Sequence, residues 1–254
     1  MKKKLFTALG LMSGTSMDGL DLSLIKSDGK TEFMSILNDY FEFDGQLKSS
    51  LIDLRSKLLS LKDLEKYGKE INSIEREYTL FVVKSLGKVF KNYKDQIDFI
   101  GFHGQTIYHN SDEKISKQIG NGKILSQMTK KIVVNNFRNG DLNNGGQGAP
   151  LTPIFHKLIS QNMIKAEKIK LPINIINIGG ITNITHICNS NNSSDIKIFA
   201  YDIGPGNCLI DDWVRKNSKK NFDENGNIAN SGKIDELILN QAIENFEIFS
   251  FYKS

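Results

Sequence analysis

The feature that most limits what this chain can fold into is an internal echo. Residues 5 to 12 alternate as a strand, Ser13 to Gly19 form a polar glycine turn, and Leu20 to Ile25 return as a second strand with Leu and Ile set against Asp and Ser. Roughly 165 residues later the arrangement recurs. A strand from Asn174 to Ile178 meets the turn Gly179-Gly180-Ile181-Thr182-Asn183, and a β-branched strand returns through Ile187. Each hairpin opens an α/β segment. This is the sequence shape of a duplicated two-lobed phosphotransferase with both turns facing a nucleotide, although two glycine hairpins also occur in unrelated α/β proteins.

Between and beyond the hairpins the elements alternate. From Gln46 to Tyr93 the apolar residues recur at three- and four-residue spacing, which predicts two helices. Ile97 to Phe102 is a short apolar strand that delivers the turn-like His103-Gly104-Gln105-Thr106 at its C-terminal end, the edge where open α/β sheets bind ligands. A helix near Gly122 to Lys130 leads to a strand, Ile132 to Val134, and then to a glycine- and asparagine-rich loop, Asn135 to Gly148, without secondary structure of its own. Pro150 to Ile159 reads as a helix with proline near its first turn. After the loop tip Asn189 to Asp195, a strand from Ile196 to Tyr201 runs into Asp202-Ile-Gly-Pro-Gly-Asn207 and the helix Cys208 to Asn217. A last helix spans Ile234 to Phe246.

Composition excludes several function classes. The net charge of +4 arises from 33 basic and 29 acidic residues dispersed along 254 positions, a solvated surface rather than a nucleic-acid footprint. Two cysteines, Cys188 and Cys208, and four histidines without metal-ligand spacing argue against a disulfide framework or a zinc site. The start, Met1-Lys-Lys-Lys followed by Leu5 to Met12, imitates a short signal peptide but lacks a cleavage site. No run reaches the ~18 apolar residues of a membrane helix. A soluble, cytoplasmic protein is expected.

Four clusters can carry chemistry. Gly14-Thr15-Ser16-Met17-Asp18-Gly19 combines glycines that admit a ligand to the backbone, hydroxyl donors, and a carboxylate able to hold Mg²⁺ through water. It is not a Walker A loop, having no lysine and no following helix, and it also satisfies a plain hairpin turn. Gly179 and Gly180 offer backbone N–H groups to an anion, or simply a tight turn. Asp202, between a strand and a helix N-terminus, suits a general base or a helix cap. His103 and Arg138 suit a sugar hydroxyl and a carboxylate respectively, or ordinary structural roles.

Taken in order, Gly10-Leu-Met-Ser-Gly-Thr-Ser-Met-Asp-Gly-Leu-Asp21, His103-Gly-Gln-Thr106, Gln118-Ile-Gly-Asn121, Gly145-Gly-Gln-Gly-Ala-Pro-Leu151, Asn177-Ile-Gly-Gly180 with Asn183, and Asp202-Ile-Gly-Pro-Gly-Asn207 resemble the anhydro-N-acetylmuramic acid kinases from residue 5 to about 247. The resemblance implies an α/β, actin/hexokinase-like (ribonuclease H-like) fold of two lobes, 1–165 and 166–254. It implies ATP and Mg²⁺ as cofactors and a small-molecule sugar substrate, with no nucleic-acid or membrane partner; a homodimer is compatible with it. By position, Asp202 matches the catalytic base. Gly14, Thr15, Ser16, Met17, Asp18, Gly19, Leu20 and Asp21 match the first phosphate loop, with Gly179, Gly180 and Asn183 the second. His103, Gln105, Thr106, Arg138, Gly204 and Asn207 match the sugar site, and Asp18 is the candidate water-mediated metal contact.

The chain departs from the family pattern at Asn136, where an aspartate is usual, and at Gly140, where an arginine often precedes the aspartate matched by Asp141. Family members also continue past the position of Ser254 into an adenosine-binding segment and a second substrate carboxylate. The expectation that follows is an incomplete second lobe with exposed apolar surface, weak ATP affinity and marginal stability. Two alternatives accompany the kinase reading: an inactive relative that binds muramic sugars without turnover, and another sugar kinase of the same superfamily.

Overall fold

The computed structural model describes residues 4–93, 96–110, 112–190 and 195–244. The tip of the loop expected at Asn189 to Asp195, the last two residues of the helix expected to reach Phe246, and the first three lysine-rich residues lie outside the described residues.

A mixed six-stranded sheet dominates. Strands β1 (Phe6–Ser13) and β2 (Gly19–Ser27) form the expected antiparallel hairpin, β3 (Phe33–Glu42) adds an edge, and β4 (Phe99–Asn110) runs parallel to β1 and antiparallel to β5 (Ile115–Ile119). The short β6 (Ile132–Asn135) pairs with β4 in parallel. Period-two alternation sends Leu9 and Leu11 of β1 and Leu20, Leu22 and Leu24 of β2 to one face.

Helices cover that face. Helix α1 (Gly45–Lys57) contributes Leu47, Leu51 and Leu54, and α3 (Gly68–Asn92) contributes Ile71, Ile74, Tyr78, Val82, Leu86 and Val89, all at three- and four-residue spacing. Asp44 caps α1 by accepting from the Leu47 N–H at 2.9 Å. Where two helices are expected there are three, because Ser60 and Asp63 form a capping box that starts α2 (Leu61–Lys66). The bond from Ser60 N–H to Asp63 Oδ2 is 2.8 Å.

Three segments correct the sequence reading. His103 to Thr106 is not a turn but the middle of β4. Gly104, at φ 78°, lets the strand bulge there, so that Ser13 pairs with Gln105 after Leu11 pairs with Phe102. The loop after β6 contains a helix, α5 (Phe137–Asn143). Asp202 lies inside β9 (Ile196–Pro205), which runs four residues beyond Tyr201. Two strands, β3 and β5, have no counterpart in the reading at all. β3 is an edge strand with a broken burial pattern, and β5 is five residues long.

Helix α4 (Gly122–Thr129) is capped by Asn121, which accepts from the Ile124 N–H at 3.0 Å. Helix α6 (Pro153–Lys165) starts on Pro153 rather than Pro150. A second sheet follows, in the order β7 (Ile173–Ile178), β8 (Ile181–Asn189), β9. Helix α7 (Cys208–Asn217) occupies the expected residues. Helices α8 (Asn227–Ser231) and α9 (Glu236–Glu244) end the described chain. The chain divides into two compact units, Met1–Asn177 with Asn183–Ile203, and Ile178–Thr182 with Gly204–Ser254. In the second unit Val214 is buried, while Leu209, Ile210, Trp213, Leu237 and Ile238 remain exposed. No helix among the described residues is long and apolar enough to cross a membrane.

Candidate phosphate and sugar site

The turn joining β1 to β2 is tied down through its carbonyls. Gly14 O accepts from Gln105 Nε2 at 2.9 Å and from the Met17 N–H at 3.2 Å. Thr15 O accepts from Arg55 Nη1 at 2.8 Å, and Asp18 O accepts from the Phe43 N–H at 2.9 Å. Met17 adopts φ 54° and sinks its side chain into the core, as does Leu20, so these two residues reach a ligand only through backbone. The N–H groups of Thr15, Ser16 and Asp18 make no hydrogen bond among the described residues. With three carbonyls engaged and three N–H groups unbonded, the loop offers partial positive charge, which is what an anion needs.

Two carboxylates flank this turn. Asp18 Oδ1 accepts from Ser16 Oγ at 2.7 Å. Burial, and then the charge of Asp18, push the Asp21 carboxyl above the usual carboxylate range. No cluster of three or more His, Cys, Asp or Glu side chains able to hold a metal occurs among the described residues. The two carboxylates of Asp18 and Asp21 are oxygen donors of the kind a hard cation accepts beside waters and phosphate oxygens.

Gln105 is fully buried beneath the turn. Its amide N–H groups go to Gly14 O and, at 3.3 Å, to Thr106 O, while its Oε1 is buried without a partner. In this structure it braces the first glycine turn from within. Ser13 Oγ and the Tyr78 hydroxyl, 2.8 Å apart and buried, do the same one residue earlier. Thr106 Oγ1 accepts from Gln118 Nε2 at 3.2 Å.

His103 and Arg138 form a pair that the sequence did not suggest. Arg138 Nε–H donates to His103 Nε2 at 2.9 Å, and His103 Nδ1–H donates to Gly104 O at 2.8 Å. Accepting at Nε2 requires a neutral ring. Burial lowers the histidine pKa, the Gly104 carbonyl opposes it in part, and the Arg138 guanidinium, the smallest of the three effects, lowers it a little further. Arg138 Nη1 also donates to Gly148 O at 3.2 Å, which leaves the Nη2 side of the fork available for an anion. Asp141 Oδ2 accepts from the Gly148 N–H at 2.8 Å and folds the glycine-rich segment back.

The two departures from the family pattern have different physical weight. Asn136 sits at φ 64°, a left-handed position that asparagine tolerates, and its Oδ1 accepts from Asn139 Nδ2 at 2.7 Å. Gly140 faces open space, so a side chain there would meet no obstacle.

An open cleft of about 480 Å³ lies on the outer face of the large sheet. Its floor is flat because Gly10 and Gly101 are register partners on β1 and β4, and its walls include Asp21, Asp39, His103 and Phe137. Two of the expected site residues, Asp21 and His103, thus open onto one surface.

The second glycine turn repeats the logic of the first. Gly180 O accepts from the Gly206 N–H at 2.9 Å and the Cys208 N–H at 3.3 Å, and Gly179 O accepts from the Asn207 N–H at 2.8 Å. A side chain at Gly206 would collide with the Gly179 carbonyl oxygen. Asn207 precedes α7 but makes no side-chain cap bond. Asp202 makes no hydrogen bond or ion pair among the described residues and is exposed, so it is not the helix cap. Gly204 is half-buried in β9, and Asn183 is half-buried in β8.

The family model for anhydro-N-acetylmuramic acid kinase matches residues 6–251. The chain is 53% identical over 251 residues to the anhydro-N-acetylmuramic acid kinase of Pelagibacter ubique, covering 99% of this chain and 65% of that one. The enzymes of that name from Rhizobium johnstonii and Agrobacterium fabrum are 40% and 35% identical over 90% of this chain and 60% of their own length. The chain thus spans 60 to 65% of these curated relatives. On the matched residues and the six motifs together, the chain belongs to the anhydro-N-acetylmuramic acid kinase family.

Proposed function

We propose that the protein transfers the γ-phosphoryl group of ATP to O6 of 1,6-anhydro-N-acetylmuramic acid while water opens the anhydro ring, giving N-acetylmuramic acid 6-phosphate and ADP in peptidoglycan recycling. The observation that carries this reading is the Gly14–Asp18 turn, in which the carbonyls of Gly14, Thr15 and Asp18 are engaged while the N–H groups of Thr15, Ser16 and Asp18 make no hydrogen bond among the described residues. Phosphoryl transfer needs little covalent participation from protein, so a rigid array of N–H donors supplies much of what it requires.

In this reading Asp202 is the general base. Its unpaired carboxylate takes a proton from water as the water oxygen bonds to C1, the C1–O6 bond breaks, and O6 takes the phosphoryl group as ADP leaves. Gly179, Gly180 and Asn183 form the second phosphate contact. Thr106, Gly204 and Asn207 touch the sugar, the Nη2 edge of Arg138 meets its lactyl carboxylate, and neutral His103 orients a hydroxyl. Asp18 and Asp21 would hold Mg²⁺ through water, the ion supplying charge neutralisation to the phosphates. The reading includes an actin/hexokinase-like fold with lobes 1–165 and 166–254, and a cytoplasmic location where ATP is present.

Incubation of the purified protein with the anhydro sugar, ATP and Mg²⁺ in H₂¹⁸O, followed by mass analysis, tests the proposal. The expected product is the 6-phosphate carrying ¹⁸O at C1, and Asp202→Asn abolishes turnover while sparing sugar binding. A phosphorylated sugar without ¹⁸O would refute ring opening, and sugar binding without ADP would refute catalysis.

A further inference from the structure

A triphosphate brought to the first glycine turn meets an imbalance of charge. From Phe6 to Ile25 the chain contains no basic residue, while the turn and the start of β2 carry Asp18 and Asp21. Free N–H groups supply partial positive charge only, and the lysine that completes a Walker A loop has no counterpart in this turn.

The structure supplies a cation from elsewhere. Arg55, in the last turn of α1 and 40 residues from the loop in sequence, reaches the turn and donates from Nη1 to Thr15 O at 2.8 Å. The neighbouring basic residue of the same helix turn, Lys57, is committed to Glu70 at 2.7 Å. Arg55 has no carboxylate partner and uses one N–H donor among the described residues. Its remaining donors lie at the exposed edge of the turn, beside Thr15 and Ser16, whose N–H groups are also free.

We infer that Arg55 is a phosphate-binding residue of this site: one arm of its guanidinium fixes the Thr15 carbonyl, and its other N–H groups contact the terminal phosphate oxygens of the bound nucleotide. The inference rests on the phosphate-loop reading above and adds to it the full positive charge that the loop's own sequence does not hold. Guanidinium suits the double task because its donors diverge in one rigid plane, whereas an ammonium is a single point.

Calorimetric titration of the wild-type protein, Arg55→Met and Arg55→Lys with ATP and with inorganic tripolyphosphate tests it. Loss of a charge-assisted contact weakens both ligands by about 10- to 100-fold in Arg55→Met, and Arg55→Lys recovers part of that loss. Because Arg55 is exposed, the ligand-free melting temperature of either variant stays within about 2 °C of wild type. Equal binding by wild type and Arg55→Met overturns the inference alone and leaves Arg55 as a brace. A large drop in ligand-free stability with no rescue by lysine also overturns it. Failure of the wild type to bind either ligand removes the phosphate-loop reading and this inference together.

Discussion

The two glycine turns follow one plan in different surroundings. In both, carbonyls of the turn accept hydrogen bonds from protein groups. The first turn takes its support from two side chains distant in sequence, Gln105 on β4 and Arg55 on α1, and from its own Met17, which is buried in the core. The second takes its support from backbone alone, the N–H groups of Gly206, Asn207 and Cys208. The units around them differ in the same sense. Leu9, Leu20, Leu51, Leu54 and Ile100 are fully buried around the first, whereas in the second unit Trp213 is 57% and Leu237 68% exposed. Shape at a backbone-built turn depends on short contacts and glycine. At a side-chain-built turn it depends on the core.

The sharpest way to break this comparison is to cut the core and the surface in parallel. Leu54→Ala removes a fully buried side chain and lowers stability by about 2–5 kcal/mol, while Leu237→Ser changes it by less than about 0.5 kcal/mol, both read by urea unfolding. Equal effects would show that the second unit is packed as tightly as the first. Next in size, Gly206→Ala forces a methyl group against the Gly179 carbonyl and costs about 1–3 kcal/mol. Hydrogen exchange locates that loss at residues 178–182 and 204–208, and exchange unchanged there would contradict the backbone support described for this turn.

Gln105→Ala removes the side-chain brace of Gly14 and costs about 1–2 kcal/mol, offset in part because Oε1 of the wild-type side chain is buried unpaired. Its ATP affinity falls more than its stability. The smallest effect is on pH dependence. His103, held neutral in the folded protein, has its pKa lowered below the unfolded value, so its contribution is intact above about pH 6.5 and is lost as pH falls from there toward the folded pKa. His103→Gln flattens that part of the stability profile between pH 7 and pH 5. His109 and His156, also lowered by burial, retain the remainder of the slope, and an unchanged slope would contradict the burial that holds His103 neutral.

Much of this was legible in the sequence, for physical reasons that also mark where legibility ends. The hairpin β1–β2, the leucine spacing of α1 and the position of α7 follow from period and turn chemistry. The edge strand β3 escaped because one side of an edge strand faces solvent and its alternation is broken. The bulge at Gly104 read as a turn because glycine marks both. The long-range partners of the site, Gln105 under Gly14, Arg55 on Thr15 and Arg138 on His103, leave no local signal, since they are set by which strands and helices become neighbours. Gly120 and Asn121 had a motif but not a role. The first lies against the Phe102 ring where a side chain would collide, and the second caps α4.

The central claim is that the free N–H groups of the first turn grip phosphate. Amide ¹H–¹⁵N spectra of the protein titrated with ATP test it most directly. The Thr15, Ser16 and Asp18 resonances are expected to move downfield and saturate together, as N–H groups do when they begin to donate to an anion. ATP binding that leaves those three amides in place would contradict it.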